Sequence, residues 1–308
     1  MRVLADILTF NDAEVIDQVL DGLRRQTRPA DAILIVDNAS TDGTLDRTFP
    51  VEVTTIRNLE NQGPSGAIGI GFSHALKHGF DWVWVLDADS VPEPEALENL
   101  LAFFDGLPHA QREQVCFLAG WPLTETGGVK EQPISLERAA LPPIPLISAR
   151  DFTQCDCMIW SGSLFRMAAV EQIGLPPADY VADMGEIEYG YRARQRGFTS
   201  YVVHNSVIRH DVGRNPGVVV TKVLSIGRWK VAFRELSPWR AYYASRNQLY
   251  FWLYQYRPRQ PRPMFRAIVI ALLFLIGFVV RPVSHRPQLI ASLRGLWDGL
   301  TAHMERRY

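Results

Sequence analysis

Short apolar runs alternate with amphipathic segments in the first part of the chain. Runs rich in apolar and β-branched residues predict strands over residues 3–10, 32–36 and 51–57, and the unbroken run 32–36 is typical of a strand in a parallel sheet, buried on both faces. Apolar residues between 15 and 23 recur at helical spacing. The order strand, helix, strand, strand, helix, strand predicts the beginning of a doubly wound α/β sheet.

The fourth predicted strand, residues 83–86, ends abruptly at two carboxylates, Asp87 and Asp89. Both therefore lie at the carboxyl edge of the sheet, where open α/β sheets bind ligands. Residues i and i+2 of a strand point the same way, and paired carboxylates suit Mg²⁺ or Mn²⁺, which would in turn hold a diphosphate. The alternative is a turn in which aspartate caps the helix opened by residues 92–95.

Two further loops carry candidate ligand contacts. Asp37 directly follows the second predicted strand, where a carboxylate can accept hydrogen bonds from a base or ribose; its alternative role is to cap its own turn. Residues 58–71 predict a glycine-rich loop that opens a helix continuing through residues 72–78. Glycines permit close backbone approach to a ligand, although an ordinary surface loop explains them as well.

Composition narrows the class of protein. The 308 residues are 47% hydrophobic and 21% charged, which indicates a globular chain, and a net charge of −1 gives no case for a nucleic-acid partner. Three cysteines, Cys116, Cys155 and Cys157, form no disulfide framework and indicate a reducing compartment. Asp6 interrupts the first apolar run, so no signal peptide is expected.

Four motifs occur together in one order and spacing. They are Thr-Phe-Asn at 9–11, Val-Asp-Asn-Ala-Ser-Thr-Asp-Gly-Thr at 36–44, Asn-Gln-Gly at 61–63 and Asp-Ala-Asp at 87–89. The set resembles the nucleotide-sugar half of a family 2 glycosyltransferase, an inverting enzyme of GT-A fold. The resemblance implies metal and diphosphate contacts from Asp87 and Asp89. The nucleotide contacts it implies are Thr9, Asn11, Asp37, Asn61, Gly63 and Asp87.

The middle of the chain agrees with this resemblance. Residues 160–166 predict a strand and tight turn before a helix, and in the family such a segment shapes the sugar and acceptor pocket. The resemblance therefore implies pocket roles for Trp160, Ser161 and Gly162. Packing in the core is the alternative for the tryptophan.

Three acids, Asp183, Glu186 and Glu188, precede a basic helical segment that ends at Gly197. Acids in a first turn stabilise a helix through its dipole, which is one explanation for them. The segment also resembles the acidic motif that supplies the catalytic base in family 2. The resemblance implies Glu186 as the base, Asp183 as the alternative base, and Glu188 in the acceptor pocket.

His210 follows strands predicted over residues 201–203 and 207–208. A lone histidine is ordinarily structural. Galactofuranosyl- and rhamnosyltransferases that resemble this chain place a metal-binding histidine after the acidic helix and a strand. The resemblance implies that His210 joins Asp87 and Asp89 around Mn²⁺ or Mg²⁺, ions that accept such a donor set.

The last part of the chain differs in character. Residues 239–247 resemble a Tyr-Tyr…Arg-Asn element of polysaccharide-building family members. Residues 264–280 are almost wholly apolar with arginines on both sides, at the lower limit of membrane-spanning length. Cationic flanks and nearby Trp and Tyr predict a helix lying on anionic lipid, with an internal hairpin or a dimer interface as the alternatives.

Together these patterns predict an α/β protein of GT-A fold with a mixed, mostly parallel central sheet. Residues 1–235 form the catalytic domain, with a nucleotide-binding half (1–90) and an acceptor and metal half (91–235), and residues 236–308 form a helical, membrane-associating extension. The expected location is cytoplasmic, peripherally attached to the inner face of the plasma membrane, and a homo-oligomer is left open.

The expected reaction is inverting, metal-dependent transfer of a sugar, with galactofuranose or rhamnose favoured. The donor is a UDP- or dTDP-sugar, and the acceptor is a lipid-linked glycan of cell-wall or surface-polysaccharide synthesis. A nucleotidyltransferase is disfavoured because residues 9–12 are not a glycine-rich basic loop. A non-catalytic scaffold is disfavoured because Asp87, Asp89 and Glu186 are all present.

Overall fold

The computed structural model describes residues 1–50, 53–136, 151–213, 220–226, 229–234, 236–256 and 286–306. The chain forms two compact units. The first comprises Met1–Ala178 and Tyr189–Arg214, and the second comprises Asp179–Glu188 and Asn215–Tyr308. This division assigns the acidic segment to the second unit, whereas the expected boundary at residue 235 stays a prediction.

Nine strands in the described part of the first unit form one sheet. They are β1 (Val3–Thr9), β2 (Ala32–Asp37), β3 (Val53–Arg57), β4 (Trp82–Asp87), β5 (Val91–Pro92), β6 (Val115–Thr124), β7 (Phe152–Cys155), β8 (Ser163–Arg166) and β9 (Thr199–His210). Their order is β3-β2-β1-β4-β8-β6-β9-β5, and β7 also pairs with β9. Strands β1, β2, β3, β4, β6 and β9 run in one direction, and β5, β7 and β8 run in the other. The predicted mixed, mostly parallel sheet is confirmed.

Helices cover both faces of this sheet, which explains why its strands are apolar on both sides. The helices of the first unit are α1 (Ile16–Arg24), α2 (Gly63–His78), α3 (Ala96–Gly106), α4 (His109–Glu113) and α5 (Met167–Ile173), and α6 (Gly185–Gln195) crosses the division between the units. Alternate residues of β1 enter opposite cores: Leu4 packs in the layer that contains α2, and Ile7 packs in the layer that contains α1. This is the doubly wound arrangement expected from the pattern.

Helix α2 begins earlier than expected, because residues 63–71 are helical and not part of a loop. Gly63 takes a φ of +69° at the start of the helix. At Gly71, a Cβ atom would lie 1.9 Å from Oδ2 of Asp6 on β1. Gly71 therefore serves close packing between the helix and β1, which is a steric reason for a glycine inside the helix.

Asp6 is fully buried at this contact, and neither carboxyl oxygen has a hydrogen-bond partner among the described residues. Burial alone raises the pKa of Asp6 well above its ordinary value, because desolvation disfavours the charged carboxylate. The folded protein therefore holds this side chain as the neutral acid over a pH range in which the unfolded chain has lost the proton.

Asp6→Asn is expected to stabilise the protein by an amount that grows with pH. In the unfolded chain the carboxyl group ionises near its ordinary pKa of about 3.9, whereas in the folded chain it ionises at a higher pH. Wild type therefore loses stability as pH rises between these two values, at about 1.4 kcal/mol per pH unit, and the neutral amide does not. Urea unfolding at several pH values from about 5 to about 8 measures this difference.

The exposed Asp105 offers a matched control for that experiment, because Asp105→Asn removes a charge from water and not from the core. Its free energy of unfolding should track that of wild type at every pH. A stability gain in Asp6→Asn that stays constant over the whole pH range would contradict the burial of an unpartnered carboxyl.

The second unit contains a strand pair and two described helices. Strands β10 (Val220–Ile226) and β11 (Trp229–Arg234) pair antiparallel, a hairpin that the sequence pattern did not predict. Helix α7 (Pro238–Tyr250) continues as a short π-helical turn (Phe251–Gln255), and α8 spans Arg286–Leu300. The expected helical character of the C-terminal extension is confirmed for these segments.

Helices α7 and α8 approach closely through glycine. A Cβ atom at Gly295 would lie 2.3 Å from the carbonyl oxygen of Tyr242, and one at Gly299 would lie 2.6 Å from that of Arg246. The hydroxyl of Tyr242 also donates to the carboxylate of Asp298, at 2.7 Å. Within the described ranges no helix is both long and apolar enough to cross a membrane, and residues 264–280 lie outside those ranges.

Candidate functional site

The carboxyl ends of three neighbouring parallel strands bring polar residues to one edge of the sheet. Thr9 on β1 pairs in register with Asp37 on β2, and Leu8 pairs with Asp87 on β4. Register partners on parallel strands point to the same face, so Thr9 and Asp37 share a face, and Asp87 ends the next strand in register with Leu8. The structure therefore brings together the strand-end residues that the sequence singled out.

The turns after β1 and β2 are tied to each other. The backbone N–H of Asn11 donates to Ser40 Oγ at 2.9 Å, and Asn11 Oδ1 accepts from the N–H of Thr41 at 2.8 Å. Asp37 is fully buried and accepts from both the N–H and the hydroxyl of Ser40, with Nε of Arg57 3.6 Å away. This carboxylate organises its own turn, which was the alternative role, and its contact with a nucleotide stays a prediction.

The loop before α2 is organised by two asparagines. Asn61 Oδ1 accepts from the N–H of Gly63 at 2.8 Å, and Asn38 Nδ2 donates to the carbonyl of Gly63 at 3.2 Å. Asn38 also accepts from Asn58 and from the N–H of Gln62. Asn38 was not among the predicted site residues, although its place directly after Asp37 in a polar turn was a usable signal.

The two carboxylates after β4 lie in an environment that opposes their charge. Asp87 is half-buried, and its backbone N–H donates to the hydroxyl of Ser161 at 2.8 Å. Burial, and then the neighbouring Asp89, raise the pKa of Asp87 to about 7. Burial and the charge of Asp211 raise the pKa of Asp89. A bound cation would relieve this repulsion and compensate the desolvation.

His210 ends β9 at the same edge of the sheet, and the loop that follows it is joined to the Asp-Ala-Asp turn. Its Nδ1 lies 3.0 Å from the hydroxyl of Ser90, and the N–H of Val212 donates to the carbonyl of Asp89 at 3.1 Å. Its Nε2 is buried without a hydrogen-bond partner among the described residues. Burial lowers the pKa of His210 to about 4, so the ring is neutral at neutral pH, as a metal ligand must be.

Lys130 brings a positive charge to this group of residues. Strand β6 extends until Thr124 pairs with His210, and a turn at Gly127, with φ of +87°, returns the chain so that Lys130 reaches Asp211. Its ammonium group partly offsets the rise in the pKa values of Asp87 and Asp89, and it adds to the lowering of the pKa of His210. The sequence did not indicate this lysine, because no local pattern connects it to the strand ends.

The donor atoms at this edge fit a divalent metal of the manganese type. Mn²⁺ accepts both ligand types present here: a neutral imidazole nitrogen without a hydrogen-bond partner, and two carboxylates whose pKa values are raised. In the side-chain arrangement of the described residues, no three His, Cys, Asp or Glu groups already converge into a metal site. The metal roles of Asp87, Asp89 and His210 therefore stay predictions that the chemistry of the donors supports.

The residues expected in the sugar and acceptor pocket have structural contacts of their own. Trp160 is buried, with its ring 5.5 Å from those of both Phe165 and Tyr189, which is the core packing given as its alternative. Ser161 holds the end of β4 through its hydroxyl. Gly162 has a φ of +84°, a backbone conformation that favours glycine. A pocket role for these residues stays a prediction.

The acids of the second unit lie on a segment held by α7. Asp183 has a φ of +55° and accepts from Arg240 twice, at 3.2 Å from Nε and 3.0 Å from Nη2. Asn247 Nδ2 donates to the carbonyls of Ala182 and Asp183, and Arg246 donates to that of Asp179. These contacts fix a backbone conformation that a non-glycine residue seldom adopts.

Glu186 and Glu188 occupy the first turn of α6, where acids favour the helix dipole. Glu186 is half-buried and Glu188 is buried. The roles of Arg240, Arg246 and Asn247 as supports for the acidic segment were missed. The signal was the Tyr-Tyr…Arg-Asn element at residues 239–247, which the sequence analysis noted without assigning it a function.

Two curated relatives match most of the chain. The galactofuranosyltransferase GlfT1 of Mycobacterium tuberculosis (strain H37Rv) is 23% identical over 253 residues, which cover 80% of this chain and 81% of the relative. The undecaprenyl-phosphate mannosyltransferase of Micrococcus luteus is 26% identical over 246 residues, which cover 76% of this chain and 96% of the relative.

Solved structures share the fold. S. aureus TarS in complex with UDP-GlcNAc superposes with a TM-score of 0.61 at 16% identity, covering 99% of this chain and 83% of that chain. The mannosyltransferase PcManGT of Pyrobaculum calidifontis, in complex with GDP-Man and Mn²⁺, superposes with a TM-score of 0.57 at 15% identity, covering 98% and 87%. At these identities the likeness shows the fold alone, and that fold is GT-A.

The model of the family "Glycosyl transferase family 2" matches residues 7–174, just over half of the chain. The matched range contains all four donor-side motifs and the residues around Trp160. The family match and the two curated relatives, both glycosyltransferases, exclude the nucleotidyltransferase and scaffold alternatives. The chain belongs to glycosyl transferase family 2, and it is a glycosyltransferase of GT-A fold.

Proposed function

We propose that this glycosyltransferase is an inverting, metal-dependent enzyme of cell-wall or surface-polysaccharide synthesis. It takes galactofuranose or rhamnose from a UDP- or dTDP-sugar and transfers it to a hydroxyl of a lipid-linked glycan. Similarity to a galactofuranosyltransferase supports the donor sugar, and similarity to an undecaprenyl-phosphate mannosyltransferase supports a lipid-linked substrate. The observation that carries the metal dependence is the buried, unpartnered Nε2 of His210 at the sheet edge that bears Asp87 and Asp89.

The donor's nucleotide lies against the ends of β1 and β2 and the start of α2. Thr9, Asn11 and Asp37 contact the base and ribose, and Asn61 and Gly63 present the backbone at the opening of the helix. The hydrogen bonds between the Asn11 and Ser40 turns support this placement, because they hold the two loops in a fixed relation before the donor arrives.

Asp87, Asp89 and His210 would hold Mn²⁺ or Mg²⁺. When bound, the cation supplies Lewis-acid stabilisation of the negative charge that develops on the leaving diphosphate. The side chains of this protein contribute the rest of the donor site: Ser161 fixes the backbone at Asp87, and Ser90 fixes the ring of His210.

Glu186 acts as the general base. Its carboxylate takes the proton of the acceptor hydroxyl, whose oxygen attacks the anomeric carbon on the face opposite the nucleotide diphosphate. The new C–O bond forms as the bond to the diphosphate breaks, which inverts the configuration. Glu186 holds the position that the family resemblance implies for the base, in the first turn of α6, and Asp183, which pairs with Arg240, is the alternative.

The enzyme works at the inner face of the plasma membrane as a peripheral protein, in contact with anionic lipid. The basic and apolar composition of the chain after residue 257, including residues 264–280, supports this attachment. A lipid-linked acceptor would be presented at the same surface.

Thermal unfolding with a panel of nucleotide sugars tests the donor assignment. UDP-galactofuranose or dTDP-rhamnose with Mn²⁺ is expected to raise the melting temperature most, and excess EDTA is expected to remove the shift, because a ligand that binds only the folded state stabilises it. GDP-mannose and UDP-GlcNAc serve as competing donors. A larger shift with either of them would overturn the sugar assignment, and an equal shift in EDTA would overturn the metal dependence.

A further inference from the structure

Helix α8 packs with its small residues inward and its large apolar residues outward. The buried positions are Ala291, Ser292, Gly295, Asp298 and Gly299. The exposed apolar side chains are Ile290 (51% exposed), Leu293 (48%), Trp297 (65%) and Leu300 (51%). Spacings of three, four and three residues place these four on one face of the helix, and we call this face the outer stripe.

Contact with α7 explains why these residues of α8 face inward and the large apolar residues face outward. The carbonyl oxygens of Tyr242 and Arg246 are too close to admit a Cβ atom at Gly295 or Gly299, so these two positions of the inner face accept only glycine. Rotation of α8 about its axis would push leucine and tryptophan into the α7 backbone. The outer stripe is therefore a fixed property of this helix pair, and small residues between helices with large apolar residues outside are typical of helices packed in lipid.

The charged residues of α8 are also divided between its outer and inner faces. The two basic residues, Arg286 and Arg294, are exposed. The acid, Asp298, is turned inward and accepts a hydrogen bond from Tyr242. Next to the end of the stripe, Tyr254 is partly exposed and donates its hydroxyl to the carbonyl of Leu300. The outward surface of α8 is thus apolar and positive, with Trp and Tyr rings of the kind favoured at the headgroup level.

We propose that the outer stripe of α8, with Arg286 and Arg294, docks on an anionic membrane surface. Its 15 residues are too few to span a bilayer, so the helix lies in the plane of the interface with its apolar face toward the acyl chains. The positive flanks match anionic headgroups. This inference rests on the peripheral attachment proposed above and places it on residues other than 264–280.

A fluorescent label on the stripe reports its surroundings directly. Cys116, Cys155 and Cys157 are all buried, so Leu293→Cys in the full chain can be labelled selectively with an environment-sensitive dye. Leu59→Cys, at a fully exposed residue of the first unit, is the matched control. On vesicles containing phosphatidylglycerol, the label at 293 is expected to shift to the blue and brighten, less so in high salt, and the label at 59 is expected not to respond.

Three results would overturn the docking proposal. One is a blue-shifted emission at 293 before vesicles are added, which would mean that another part of the chain covers the stripe. Another is concentration-dependent protection of the label together with a dimer in sedimentation velocity, which would assign the stripe to a second copy. The third is an equal response to neutral and anionic vesicles, or no response to either.

Variants separate docking from glycosyl transfer. Leu293→Ser with Trp297→Ser is expected to lower vesicle binding by about tenfold or more, and Leu175→Ser, at an exposed leucine of the first unit, is expected to leave it unchanged. Metal-dependent donor hydrolysis without lipid should be the same in both variants and in wild type. Vesicle binding that ignores the stripe substitutions overturns the docking proposal; absent hydrolysis in all three proteins would instead count against the proposed function.

Discussion

Asp89→Ala is expected to abolish glycosyl transfer and the metal-dependent stabilisation by donor, while the protein still folds. The substitution removes one of the proposed ligands, and metal affinity depends steeply on ligand number and charge. The fold should survive because burial and Asp211 already oppose the charge on Asp89. Transfer assays and thermal unfolding with donor, each with and without Mn²⁺, measure the two losses.

Asp105→Ala is the matched control, because it removes an exposed carboxylate from α3. It should keep wild-type transfer and wild-type metal dependence. Unchanged transfer in Asp89→Ala, or full wild-type transfer in excess EDTA, would contradict the assignment of Asp89 as a ligand of a required metal.

Glu186→Gln is expected to leave donor affinity nearly intact and to lower kcat by about two to four powers of ten, the usual contribution of a positioned general base. The amide keeps the shape and position of the side chain in the first turn of α6 but cannot accept the proton. Donor affinity by calorimetry and kcat at saturating acceptor separate binding from chemistry.

Asp183→Asn distinguishes the two candidate bases. It weakens the pairing with Arg240, so it is expected to lower the free energy of unfolding. If Asp183→Asn instead reduces kcat with unchanged stability, while Glu186→Gln remains active, the base has been assigned to the wrong carboxylate.

Local patterns were sufficient for the parallel strands and for the edge where they end. Strands β2 and β4 are unbroken apolar runs, β1 is interrupted by Asp6, and the polar residue at the end of each strand marks the sheet edge. The antiparallel insertion of β8 between β4 and β6 was beyond such signals, because its partners lie far away in sequence. The start of α2 was misplaced because glycines usually indicate loops, while here Gly71 makes room for Asp6.

The candidate site also contains residues that local patterns predict and residues that they do not. Asp87 and Asp89 could be predicted because they lie at the end of a strand, and the acids of residues 183–188 could be predicted because they lie at the start of a helix. Lys130 and Arg240 could not be found in this way, because each reaches its carboxylate partner across the fold on a long side chain. Contacts of this kind leave no periodic trace in the sequence.

The support of the acidic segment by α7 has a consequence for modularity. The family match ends at residue 174, before Asp183, Glu186 and Glu188 and before every residue of α7. A fragment cut at that point would keep Asp37, Asp87 and Asp89, and it would lose His210, the proposed base and the side chains that hold the acidic segment. The family model therefore covers most of the proposed nucleotide contacts, while the C-terminal helices support the segment of the proposed base, so acceptor range can diverge among relatives through those helices.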